Sequence, residues 1–268
     1  MKTAPAKNLQ SNLHQVGQAF QEQVDTIQDI ALLFKATLGW FFKRPWRWDE
    51  IFHSVVQMGI GSLPVVLIST AFAGMVVTNE LAWHMNEALS SISMIPGVSG
   101  QFIVRELGIA VPAMILVAKV GASTTAEIGT MKVTEQIDAL KLLGIDPVGY
   151  LVFPRLIAAI ISITALTLIA IGFTLIFAIF VAVAKFNFGT FEFINALRPF
   201  VGVGDLACAL CKGISFGILI PMIACGYAFR CQGGAKGVGS TTTNAVVTAT
   251  VAVILVDFIW TYVFSLLL

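Results

Sequence analysis

Long apolar runs separated by short polar stretches dominate the pattern along this chain. The run from Leu156 to Ala184 contains no charged residue, and about twenty apolar residues are enough to cross roughly 30 Å of hydrocarbon. Runs of this kind predict membrane spans over residues 58–82, 101–126, 149–184, 205–229 and 242–267. Membrane β-strands would show short alternating segments instead. The pattern therefore predicts an all-α, polytopic membrane protein with five transmembrane helices in residues 57–268.

The segment before these spans is amphipathic. Residues 9–34 place apolar side chains at three- and four-residue steps opposite Gln, Glu and Asp, which is typical of a helix too polar to span a membrane. We predict that residues 1–35 form a cytoplasmic or surface helix, with a solvated helical stalk as the alternative. In residues 36–56, Trp and Phe mix with Lys and Arg, and Pro45 interrupts the helix. We interpret 36–56 as an interfacial elbow.

A polar segment between two apolar blocks, Glu127 to Arg155, has its own helical pattern. Val133, Ile137 and Leu140 recur at helical spacing. The surface of this predicted helix is made of Val133, Glu135, Gln136, Ile137, Asp138, Leu140 and Lys141. We predict a helix of about ten residues over 133–143 that lies crosswise between two spans. It is either a helical loop without a partner or the docking helix through which a cytoplasmic partner moves the membrane domain.

The ends of this crosswise helix are also marked in the sequence. Gly144 is expected to end it in a left-handed conformation. Asp146 and Pro147 are expected to be the N-cap and the first residue of the following helix.

Basic residues are unevenly distributed between the connecting segments. Most Lys and Arg fall on the side of the N-terminus, whereas Lys185 and Arg198 fall on the opposite side. Because basic loops remain in the cytoplasm, we predict a cytoplasmic N-terminus and 133–143 helix, and a C-terminus on the far side. The net charge of +1 gives no indication of nucleic-acid binding.

Charged residues also fall inside the predicted spans: Arg105, Glu106, Lys119, Asp205, Lys212 and Asp257. An isolated charge at the bilayer centre costs at least about 2.5–3.5 kcal/mol, so these groups are expected to pair or to face water. Arg105 and Glu106 are adjacent in sequence and each is expected to find a partner on another span. Asp205 and Lys212 lie about 10 Å apart on one helix face and are expected to flank a shared partner such as Asp257. The cluster is a structural polar lock, a cavity for an amphiphile with a charged head, or an ion relay.

Other candidate chemistry is sparse. Cys208 and Cys211 have C-x-x-C spacing, but no second pair or nearby His completes a site, so we interpret them as packing residues. Residues 232–239 read QGGAKGVG and are predicted to form a Gly-rich loop, without the residue order of a phosphate-binding loop. The glycines are expected to permit a tight turn or a close backbone contact. We predict no catalytic residue, no metal site and no cofactor.

Several segments together resemble one family. They are GIGSLPVVLISTAFAGMVV from Gly59, RELG from Arg105, AEIGTMKVTEQIDALKLLGIDP from Ala126, PRL from Pro154, DLACALCKG from Asp205, GGAKGVGSTTT from Gly233 and VDFIWT from Val256. Between about Gly59 and Phe264 the chain resembles the MlaE/YrbE permeases, the membrane subunits of bacterial lipid-transporting ABC systems that work with MCE proteins.

The resemblance implies the permease subunit of a Mla-like phospholipid transporter, which moves lipid between inner and outer membranes and is driven by a separate ATPase. It implies a homodimer in the cell inner membrane, with a periplasmic C-terminus. The partners would be a cytoplasmic ABC ATPase bound through the 133–143 helix, a periplasmic MCE-domain protein and a small STAS-domain protein. The alternatives are the same architecture carrying a sterol or other hydrophobic compound, and an ion-coupled secondary transporter.

The resemblance also implies roles for particular residues. The implied lipid-binding residues are Val76, Val77, Glu80, Arg105 and Glu106, and the implied intramembrane charge network is Lys119, Asp205, Lys212 and Asp257. Lys119, Glu80 and Asn244 depart from the family pattern, where we expect Arg, Gln and Arg. These departures bear on headgroup preference more than on overall function.

Overall fold

All regular structure in the described part of the chain is helical, as the sequence predicts. The computed structural model describes residues 21, 24–42, 46–89, 94–186 and 188–267. The helices are α1 (24–40), α2 (Trp48–Met58), α3 (Leu63–Leu89), α4 (Ile95–Phe102), α5 (Gly108–Leu116), α6 (Ala122–Val133), α7 (Gln136–Leu142), α8 (Phe153–Phe186), α9 (Thr190–Leu197), α10 (Val203–Phe229) and α11 (Gly234–Leu267).

Four long apolar helical segments have the length and composition to cross a membrane within the described ranges. They are Trp48–Met85, Val148–Phe186, Val203–Phe229 and Gly234–Leu267. Each contains one of the spans predicted from the sequence. The first is longer than predicted because α2 continues into α3 through a single 3-10 turn, Ile60–Ser62.

The span predicted over 101–126 is not a single long helix. It lies in the run Ile95–Val133, where two π-helical turns, Ile103–Leu107 and Val117–Gly121, separate α4, α5 and α6. Arg105 and Glu106 lie in the first of these turns and Lys119 in the second. π-helical turns are frequent at functional sites. The fifth membrane span stays a prediction.

The long helix α8 is the centre of the bundle. It packs against α2, α3, α5 and α10, and α10 in turn packs against α6 and α11. Small residues allow the close approach of backbones that membrane helices use. At Gly217 a Cβ atom would lie 2.7 Å from Ile160 Cα, so any larger residue would push α10 away from α8.

The bundle has two ends, which we name after the short helices that lie there. At the α9 end, α4 packs against α9 and the adjoining turn, where Gly97 and Gly100 lie under Phe200 and Leu197. At the α7 end, α7 connects α6 to the segment that leads into α8. Short helices of the described chain therefore lie at both ends of the long spans.

The helix α1 lies at the α7 end. Its residues Ile30, Leu33 and Phe34 pack against a buried cluster of α6, α7, α8 and α10, and Asp29 forms an ion pair with Arg230 at 2.9 Å. Residues 1–20 of the predicted surface helix lie outside the described residues.

The predicted elbow has different limits in the structure. The helix α1 extends to residue 40, and α2 begins at Trp48. The connection between them is therefore residues 41–47, of which 43–45, including Pro45, lie outside the described residues. The prediction of one interfacial element over 36–56 is not confirmed.

The Gly-rich stretch is mostly helix, so the predicted loop over 232–239 is wrong beyond Gly233. The turn uses positive φ angles at Gly233 (+86°) and Gly234 (+67°), and α11 begins at Gly234. At Gly237 a Cβ atom would lie 1.7 Å from the carbonyl oxygen of Gln232. The predicted role of glycine in a tight turn and a close backbone contact is confirmed.

Candidate functional site

The crosswise helix at the α7 end is shorter than predicted. It spans Gln136–Leu142, whereas Val133 is the last residue of α6. Between them Glu135 has a φ angle of +60°, which is uncommon for a residue other than glycine. Helical periodicity runs through residues 133–143 without showing this break, because a single left-handed residue leaves the spacing of apolar positions almost unchanged.

Two apolar side chains, the buried Ile137 and the partly buried Leu140, attach α7 to the bundle. Ile137 is 1% exposed and lies in the cluster that also contains Ile128, Leu151 and Met222. On the outer surface, Asp138 Oδ1 accepts a hydrogen bond from Lys141 Nζ at 3.0 Å, and Asp138 Oδ2 accepts one from Lys132 Nζ at 3.2 Å. These two bonds, that of Lys141 first, lower the pKa of Asp138.

The predicted end signals of this segment are confirmed. Gly144 has a φ angle of +74°, as expected for the residue that ends a helix. The backbone N–H of Val148 donates to Asp146 Oδ1 at 3.0 Å, which is the expected N-cap bond. The indole N–H of Trp40 also donates to Asp146, at Oδ2 and 2.8 Å, so α1 is tied to the connection between α7 and α8.

Two leucines at the C-terminus of α7 project into solvent. Leu142 is 90% exposed and Leu143 is 74% exposed. The sequence prediction of docking residues did not include them, because they lie outside the apolar stripe of Ile137 and Leu140. The sequence signal that could have identified them is the presence of two adjacent leucines on the polar side of such a short helix.

The charged residues of the predicted spans form a cluster at the α9 end, organised around Lys212. The Lys212 side chain is fully buried. Its Nζ donates to Glu106 Oε1 at 3.2 Å and to the carbonyl oxygen of Arg105 at 3.0 Å. It also forms an ion pair with Asp257 Oδ1 at 2.9 Å, without hydrogen-bond geometry. The cation on α10 thereby joins the first π-helical turn to α11.

A second ion pair connects the same turn to the start of α10. Arg105 Nε donates to Asp205 Oδ1 at 2.5 Å, and Asp205 Oδ2 accepts from the backbone N–H of Gly202 at 2.8 Å. Asp205 is therefore both the capping residue of α10 and the partner of Arg105. Arg105 and Glu106 keep 32% and 26% of their side chains exposed, so both can be reached from outside the cluster.

Two expectations about these charges are wrong. Asp205 and Lys212 do not share Asp257 as a partner, because Asp205 pairs with Arg105 whereas Lys212 pairs with Asp257. Lys119 does not belong to this cluster. It lies about 21 Å further along the helical run than Arg105, at 1.5 Å per residue, and its Nζ donates to the carbonyl oxygen of Gly61 in the 3-10 turn between α2 and α3.

The remaining predicted lipid-binding residues lie on α3. Val76 and Glu80 are exposed and Val77 is half-buried. Val76 lines a groove between α3 and α8 next to Lys185. In the described part of the chain, no hydrogen bond or ion pair joins Glu80 to Arg105 or Glu106.

A hydroxyl that the sequence interpretation missed completes the cluster. Thr261 Oγ1 donates to Glu106 Oε1 at 2.7 Å. Thr261 lies four residues after Asp257 in the segment VDFIWT, so both face the same side of α11. The four-residue spacing between the charged Asp257 and Thr261 was the sequence signal that could have identified this hydroxyl.

The fold defines a class of protein, an all-helical protein in which several apolar helices of the described ranges are long enough to span a membrane. A sequence model described as Permease MlaE matches residues 51–263. A probable ABC transporter permease protein of Rickettsia typhi is 35% identical over 86% of this chain and 89% of its own length. Proteins with the same description in Pyropia yezoensis (34% identical, 80% of this chain and 81% of the relative) and Synechocystis (35%, 75% and 76%) are similar. The chain belongs to the MlaE permease family.

Membership of this family confirms the resemblance found in the sequence. The relatives are described as ABC transporter permease proteins, which are transport subunits and not enzymes. An ABC permease works with an ATPase subunit, so the chain has an ATPase partner.

Proposed function

We propose that this permease moves phospholipid between the inner and outer membranes, as the membrane subunit of a Mla-like ABC transporter. In this proposal Ile95–Val133 is the fifth span, and the N-terminus and α7 face the cytoplasm of a cell whose inner membrane holds the protein. A periplasmic MCE-domain protein contacts the opposite side, and a small STAS-domain protein joins the cytoplasmic complex.

The observation that carries the lipid proposal is the partial exposure of Arg105 and Glu106, whose ion-pair partners Asp205 and Lys212 are buried. Lys212 and Asp205 fix the two side chains in place, and this leaves a guanidinium and a carboxylate next to each other at the surface of an apolar bundle. A zwitterionic phospholipid head offers a phosphate and an ammonium group to match them. Arg binds phosphate with a planar fork of donors. A sterol has no charged group to match this pair.

The homodimer is supported by the surface of α11. Its long apolar stripe contains Val247, Val251, Leu255, Phe258 and Tyr262, all more than half exposed. The cluster residues Asp257 and Thr261 lie on the same helix. A second copy against α11 would therefore close the space next to Glu106, and lipid would lie between the two protomers.

The ATPase contact is supported by the two exposed leucines. Leu142 and Leu143 are exposed apolar groups at the end of a helix whose buried residue Ile137 packs against the bundle. A partner that surrounds the leucines and moves would pull α7, and Ile137 would transmit the movement to α8 and α10.

The test is purification of the full chain from its membrane, followed by mass spectrometry of the lipids and proteins that remain bound. We expect the wild type to retain phospholipid and an ABC ATPase. The Glu106→Gln variant should change the headgroup composition and keep the ATPase. The double variant Leu142→Ser, Leu143→Ser should lose the ATPase and keep the lipid.

Two exposed residues provide matched controls. Glu50→Gln changes a carboxylate whose partner is Arg47, and Phe191→Ser removes an apolar side chain that is 84% exposed at the α9 end. Both should behave as the wild type. A sterol as the bound compound, an unchanged headgroup composition in Glu106→Gln, or ATPase retained without the leucines would contradict the proposal.

A further inference from the structure

A second polar cavity lies near the α7 end, away from the charge cluster. It has a volume of about 120 Å³ and is enclosed by α2, the 3-10 turn, the second π-helical turn, α6 and the start of α8. Its polar lining includes Ser62, Lys119, Ser123, Glu127 and Arg155. Of these residues Ser62 is buried, Arg155 is partly buried, and Lys119, Ser123 and Glu127 are exposed. A buried polar group requires a partner.

The Ser62 hydroxyl lacks that partner. Ser62 is fully buried, and its Oγ makes no hydrogen bond within the described part of the chain. A buried hydroxyl without a partner destabilises the fold. An acceptor that enters the cavity would remove this destabilisation.

The cationic groups of the cavity are only partly neutralised. Arg155 donates to Glu127 Oε1 at 2.6 Å and to the carbonyl oxygen of Leu151 at 3.0 Å, and a guanidinium has five donors in total. Lys119 donates to the carbonyl oxygen of Gly61, and no carboxylate of the described residues forms an ion pair with it. Lys119 and Arg155 are positively charged and Glu127 is negatively charged, so the lining has a net positive charge and favours an anion.

The donors of the cavity indicate which anion. Lys119 offers an ammonium, Arg155 a guanidinium and Ser62 a hydroxyl. A phosphate group has several strong acceptor oxygens that match such a set of donors.

We propose that this cavity binds a phosphate group through the Lys119 ammonium, the free donors of Arg155 and the Ser62 hydroxyl. The phosphate belongs to a phospholipid head or is free inorganic phosphate. This goes beyond the proposed transport function, because the cavity is about 21 Å from Arg105 along the helical run and its occupancy requires no ATPase.

The test is a ³¹P NMR titration of the full chain in a maltoside detergent, which contains no phosphorus. The probes are dihexanoyl-phosphatidylglycerol and inorganic phosphate, each titrated alone and then in competition. Lys119→Met should weaken binding at least tenfold, because it removes a charge-assisted hydrogen bond. Lys119→Arg should retain binding, and Ser62→Ala should weaken it several-fold without changing any charge.

Each result has a defined meaning. Competition between the two probes supports a general phosphate site, and binding of the lipid alone supports a headgroup site. The control Lys35→Met, which removes an exposed lysine of α1, should bind as the wild type. Absence of binding, or equal binding in wild type and Lys119→Met, would overturn the proposal. So would binding that is lost in Arg105→Gln and kept in Lys119→Met, because the phosphate would then belong to the α9-end cluster.

Discussion

Charged side chains are held in opposite ways at the two ends of the bundle. At the α9 end, Lys212 is fully buried between Glu106 and Asp257. At the α7 end, the ion pair between Asp138 and Lys141 lies on the surface, with about half of each side chain exposed. A buried pair is costly to break because the remaining charge has no solvent, whereas a surface pair contributes little.

The difference assigns different mechanical roles to the two regions. The α9-end cluster fixes three helices in one geometry, as a site that selects a ligand requires. The helix α7 is short and packs on the bundle through the buried Ile137 and the partly buried Leu140, so it can move as a partner moves. Predictions that separate these roles follow, in order of decreasing expected effect.

The largest effect is expected for Lys212→Met. The change leaves Glu106 and Asp257, which are only partly exposed, without their cation, and removing one partner of a buried pair costs about 3–5 kcal/mol. Thermal and detergent-induced unfolding of the purified protein would measure the loss. The control is Lys185→Met, since Lys185 Nζ donates to Asn79 Oδ1 at an exposed position. If Lys212→Met unfolded like the wild type, the cluster would not be the fixed region of the molecule.

A smaller and local effect is expected for Ile137→Ala. Removal of this buried side chain leaves a cavity and should cost roughly 2–3 kcal/mol, the lower part of the usual range, because a helix as short as α7 can relax. Hydrogen exchange of the α7 amides should accelerate while exchange in α10 stays unchanged. Leu142→Ala removes a similar side chain at an exposed position and should leave exchange as in the wild type. Equal protection of α7 in Ile137→Ala and wild type would show that other contacts hold α7.

The smallest effect concerns the titration of Asp138. Its pKa is lowered by Lys141 and Lys132, so the contribution of this carboxylate to stability is present above the ordinary aspartate pKa of about 3.9. It is lost as the pH falls through the lower pKa of the folded protein. A ¹³C NMR titration should show the midpoint below the ordinary value, and Lys141→Met should raise it more than Lys132→Met does. Lys35→Met, on α1, should not change it, and a wild-type midpoint at the ordinary value would contradict the assignment.

Local signals in the sequence predicted local features well. The long apolar runs identified the four long spans, and Gly144 and Asp146 marked the end of α7 and the start of the next helix, because such features depend on residues close together in the chain. The same kind of reasoning failed at Glu135, whose left-handed backbone does not disturb the apolar spacing. It also failed at residues 234–239, where glycines usually indicate a loop but here permit the close approach that starts α11.

By itself, the sequence determined that the chain is an all-helical membrane protein, that its charges inside the spans need partners, and that its family is that of the MlaE permeases. Only the tertiary structure decided which charges meet. Arg105 pairs with Asp205, Lys212 holds Glu106 and Asp257, and Lys119 lies in a separate cavity near the α7 end. The physical reason is that a pairing energy depends on the distance between atoms, and helices far apart in sequence acquire that distance only when the bundle packs.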